Sequence, residues 1–82
     1  MNTTQKLFND HAAIMQGNIP ANLDKAARLA AEGKTVEANT AWLLAAHALT
    51  DLKLIGATGK TKLDELTQKV EDLRWVNDKA TA

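Results

Sequence analysis

Residues 16–20, Gln-Gly-Asn-Ile-Pro, decide how many helices this chain has. Gly17 and Asn18 both tolerate the left-handed backbone that ends helices. Pro20 has no N–H and crowds the preceding turn, so it interrupts a helix interior but suits the first turn of a new helix. Read locally, the pentapeptide predicts a turn, with one helix ending before it and a second starting at Pro20.

Upstream, the first helix begins near Thr3 or Thr4, either of which can cap free backbone N–H groups. Leu7, His11, Ile14 and Met15 recur at steps of three and four and predict its buried stripe. Downstream, the second helix runs to about Glu32 with Leu23, Ala26, Ala27 and Ala30 inward, and Gly33 stops or kinks it. Thr35 is then placed to cap a third helix, the most hydrophobic piece, over roughly Val36 to Ile55. Ala38, Ala41, Ala45, Ala48, Leu52 and Ile55 form its inner stripe, while Trp42, Leu43, Leu44 and Leu49 carry apolar character well beyond one face. His47, set among alanines, is expected to be semi-buried with one hydrogen bond.

Residues 54–62, LIGATGKTK, contain Gly-Lys-Thr and invite comparison with a phosphate-binding loop. A Walker loop needs four residues between its first glycine and Gly-Lys-Thr, and it follows a buried strand. Only Ala57 and Thr58 separate Gly56 from Gly59, and the preceding segment reads as helix. The stretch is therefore a helix–helix connection. Gly56 ends the third helix, and Thr61 with Asp64 has the spacing of a capping box opening the fourth. Leu63, Leu66, Val70, Leu73 and Val76 or Asn77 form an a/d-type seam over two heptads. Lys60–Asp64 and Glu65–Lys69 are spaced for weak helical ion pairs. Residues 1–2 and 78–82 are expected to fray.

The chain of 82 residues thus reads as one all-α domain, a small three- to four-helix bundle built on an antiparallel helical hairpin. A core this small rarely supplies more than about 3–5 kcal/mol unaided. There is no cysteine, so neither disulfides nor thiolate metal sites arise. Ten basic and ten acidic residues cancel, against dedicated nucleic-acid binding through bulk charge. No secretion signal and no apolar run of about 18 residues is present, so the expected setting is cytoplasmic, without a membrane.

Little in the sequence points to chemistry. Asp10 and His11 are adjacent, which on a helix turns them about 100° apart, and the motifs of hydrolases, zinc proteases and nucleotide-binding turns are missing. No metal, cofactor or catalytic residue is expected. Lys53, Lys60 and Lys62 are read as solvating a turn, although a helix N-terminus there has some attraction for anions.

Residues 26–49, AARLAAEGKTVEANTAWLLAAHAL, resemble a tetratricopeptide-type helical hairpin or the related hairpin of the microtubule-interacting-and-transport bundle, over residues 22–49 in all. Ala26, Leu29, Gly33, Ala38, Trp42 and Ala45 carry the resemblance. The family's signature tryptophan and terminal proline positions hold Asn22 and Thr50, and no second repeat follows. The resemblance implies hairpin geometry and a protein- or peptide-binding role.

Two function classes remain. The preferred one is a non-enzymatic interaction module, an adaptor or inhibitor sequestering a partner protein; by analogy alone, such small neutral chains are carried by phages and other mobile elements. Its candidate interface is Trp42, Leu43, Leu44, Arg74 and Trp75, aromatics and arginine being frequent hot-spot residues. Because helix three is apolar around more than one turn, the chain is also expected to form a homodimer or higher even oligomer. The alternative is an oligomeric binder of an anionic ligand such as a nucleotide, with Phe8, His11, Lys25 and Arg28 as candidate ligand residues.

Overall fold

The structure, a computed structural model, describes residues 2–82; the expected fraying of Met1 lies outside them. Among the described residues the chain forms α1 (Thr3–Ala31), α2 (Thr35–Ile55), α3 (Lys60–Asp72) and α4 (Arg74–Thr81). α1 and α2 pair as an antiparallel hairpin, the most extensive contact in the molecule, and α3 and α4 pack mainly against α2. The result is an all-α bundle measuring 47 × 19 × 17 Å. At 1.5 Å per residue α1 is about 43 Å long, nearly the whole long dimension.

The expected turn at residues 16–20 does not form: α1 passes through Gly17, Asn18 and Pro20 without a break. Pro20 leaves the Gln16 carbonyl without its helical donor, a defect costing about 3 kcal/mol. Continuity, however, places Met15, Ile19, Leu23 and Ala26 on one face against the core. Ile19 is fully buried and Leu23 almost so, and burying two such side chains contributes roughly 3–6 kcal/mol. Burial outweighs the defect. The same register corrects the first expected stripe. Ala12 and Met15 are buried, whereas Leu7, His11 and Ile14 are exposed, with Leu7 and Ile14 on the outward side. One turn before Pro20, the Gln16 side-chain amide donates to Thr58 Oγ1 at 2.9 Å and ties α1 to the α2–α3 connection.

Capping also departs from expectation at the helix starts. Asn2, not Thr3 or Thr4, caps α1 by accepting from the Gln5 N–H at 2.8 Å. Thr35 is the first residue of α2, and its N-cap, Lys34, makes no side-chain cap bond. Thr61 lies inside the first turn of α3, behind an N-cap at Gly59, and Asp64 pairs with Lys60 at 2.6 Å rather than closing a capping box. The helix ends follow the glycines as expected. Gly33 (φ 79°) closes α1 with Lys34 N–H on Leu29 O and Gly33 N–H on Ala30 O, a Schellman arrangement. Gly56 (φ 72°) ends α2. The connection between α2 and α3 is thus residues 56–59, and Gly-Lys-Thr is the N-cap and first two residues of α3.

Gly17 has open space where a Cβ would stand and sits inside a helix. Gly17→Ala is expected to stabilise the fold by about 0.5–1 kcal/mol, through the lower entropy loss of alanine. Urea titration followed by circular dichroism checks this; a destabilised variant would contradict helix continuity.

The seam of the C-terminal segment forms as read, with Leu66, Val70 and Val76 buried and Leu63 and Leu73 packed beside them. The helix is nevertheless divided at Leu73 (φ −105°, ψ 11°). At that division the Val70 carbonyl accepts from Leu73 N–H at 3.2 Å and from the Trp42 indole N–H at 3.0 Å. Trp42 therefore fills the core and satisfies the carbonyl end of α3 together. Residues 78–81, expected to fray, continue α4 to Thr81.

Candidate interaction surface

α2 positions the surface. Its inner face (Ala38, Ala41, Ala45, Leu49, Leu52) is committed to the core. Helical spacing puts Val36, Thr40, Leu43, His47, Thr50 and Leu54 on the opposite side at alternating steps of four and three, and all six are exposed. None is an Asp, Glu, Lys or Arg, residue types that make up 24% of the chain. Val36 and Leu54, at the two ends, are 77% and 80% exposed, and Leu44, on the flank, is 55% exposed. A helix that meets only water on this side normally carries charged residues there.

The residues expected at an interface fall into separate places. Leu43 and Leu44 lie on or beside this outer stripe. Trp42 does not: it is buried, with its N–H engaged. Trp75 is half exposed and lies over the α1–α2 corner, where it lines a shallow cleft with Ala30, Thr35, Ala38 and Lys79. Arg74 is beside it in sequence and makes exposed ion pairs with Glu71 (3.7 Å) and Asp78 (4.0 Å), contacts of small energetic weight. His47, expected to be semi-buried, stands exposed in the outer stripe. It was placed by its alanine neighbours, which face the other way.

The anionic-ligand set is divided by the continuity of α1. Phe8 and Lys25, like His11 and Arg28, are separated by about 25 Å along one helix axis. A turn at residues 16–20 would have folded these halves together. Phe8 and His11 instead join Asp51, Leu54 and Ile55 in an open groove at the free end of the hairpin. Lys25 and Arg28 are exposed farther along α1. Near the α2–α3 connection, Lys60 is hydrogen-bonded to Asp64, whose carboxylate holds the ammonium pKa above its usual value. Lys62 pairs with Glu65 at 3.8 Å. Acidic partners thus already compete for two of the three lysines there.

Sequence reasoning carried helix three's apolar character beyond one face and named Leu43 and Leu44, but did not join them to Val36, Thr40, His47, Thr50 and Leu54 as one stripe. The alternation 36–40–43–47–50–54 was present as a signal, diluted by two threonines and a histidine. Among the described residues no three His, Asp or Glu side chains cluster in a way that could hold a metal ion, and no helix is long and apolar enough to cross a membrane.

The fold and surface together define a small all-α bundle with an α1–α2 hairpin. Compared with protein-family models, curated proteins and solved structures, the chain has no match.

Proposed function

We propose that this chain is a non-enzymatic interaction module, an adaptor or inhibitor that binds protein through the outer face of α2. The observation that carries this reading is the charge-free stripe from Val36 to Leu54, which keeps apolar side chains in water along the full length of a 21-residue helix. Covering Val36, Leu44 and Leu54 removes apolar area from water at roughly 25 cal/mol per Å². The hairpin behind the stripe supplies a rigid support, so docking requires little ordering of the chain.

The test is affinity capture from the native host with the wild-type chain and with Leu54→Glu. Residue 54 is largely solvated, so this change leaves helicity and melting temperature nearly unaltered. A specific partner retained by the wild type should be lost, by tenfold or more, with the variant. Equal capture by both, with folding intact, removes the α2 face from consideration.

A further inference from the structure

Resting on that reading, we infer that the first occupant of the α2 face is a second copy of this chain, docked antiparallel about a twofold axis that crosses the outer face between Leu43 and His47, at the level of residue 45. Val36 and Leu54, the two most exposed large apolar residues, are equidistant in sequence from Ala45. The twofold operation therefore sets Val36 on the partner's Leu54. It also sets Thr40 on the partner's Thr50 and Leu43 on the partner's His47. Each contact occurs twice, as an isologous interface requires.

The flanks choose the direction. In an antiparallel pair, like flanks meet, so Leu44 approaches the partner's Leu44 near the axis and one exposed leucine covers the other. A parallel pair would set Leu44 beside the partner's Asn39 and place His47 on the partner's His47. Antiparallel helices also lay the positive end of each dipole beside the negative end of its neighbour. One feature opposes the pairing: Asp51 and the partner's Glu37 share a rim, twice per dimer. The strip is also narrow. A helix of about 32 Å by 10 Å presents well under the ~800 Å² per partner of a standard stable interface. The dimer is accordingly weak and reversible.

Sedimentation equilibrium on the intact chain, with circular dichroism as the folding control, tests the register through two exposed positions. Leu44→Glu brings two carboxylates together at the axis and is expected to weaken association by at least about tenfold. Asp51→Lys converts two like-charge rim contacts into two ion pairs and is expected to tighten it about fivefold, an effect that salt diminishes. A wild-type chain that stays monomeric up to millimolar concentration overturns the inference. So does an Asp51→Lys dimer that is unchanged or weaker. A monomer whose α2 face still captures a different protein sinks the second copy alone and leaves the interaction module standing.

Discussion

Trp42→Ala is expected to cost about 3–5 kcal/mol, the usual range for removing a large aromatic side chain from a core. That is as much as a core of this size ordinarily supplies, so the variant should lose its cooperative unfolding transition. Two effects combine at this residue. The ring occupies the junction of α2 with the C-terminal segment, and its N–H satisfies the Val70 carbonyl where α3 ends. Trp42→Phe separates them. It keeps a phenyl ring in the core and loses the hydrogen bond and part of the ring volume, for an expected cost of about 1–3 kcal/mol, with Val70 O still accepting from Leu73 N–H. Urea unfolding followed by circular dichroism reads both variants, because the helical signal does not depend on the tryptophan that is replaced. A cost under about 1 kcal/mol for Trp42→Ala would mean that the indole lies outside the core.

Pro20→Ala is expected to act in the opposite direction, stabilising the chain by about 1–2 kcal/mol. The full helical penalty of proline is about 3 kcal/mol. Part of it is not recovered, because alanine frees the unfolded chain and because Pro20 lines a shallow groove with Leu23, Lys69 and Leu73. The new N–H at position 20 would donate to Gln16 O and complete the backbone ladder of α1. Thermal and chemical denaturation should agree on the gain. A loss of stability instead would show that the chain uses Pro20 to open a separate helix, and α1 would have to be redrawn as two.

These variants probe the element on which local reading and tertiary structure part. Gly33 and Gly56 were legible because each signal is local: a left-handed residue ends a helix whatever lies beside it. The inner stripe of α2 and the Leu66–Val70–Val76 seam were legible because periodicity alone states which side must leave water. The helical class followed from an alanine- and leucine-rich chain with a single proline.

Three things depended on the neighbouring helix. Whether Pro20 breaks α1 is a contest between a fixed backbone cost and the burial of Ile19 and Leu23, and that burial exists only because α2 runs alongside. The same outcome sets the placing of Phe8, His11, Lys25 and Arg28 within one chain, since a straight helix holds the two halves of that set about 25 Å apart. Trp42 could be read as core or as interface from its own helix alone, and only the Val70 carbonyl, 28 positions away, commits its indole to the interior. By itself, then, the sequence determined the helical class, the stops at Gly33 and Gly56 and the inward residues of α2 and α3, all properties of adjacent turns. Tertiary structure decided the continuity of α1 and the side of α2 left facing solvent, because both depend on apolar area that only another helix can remove from water.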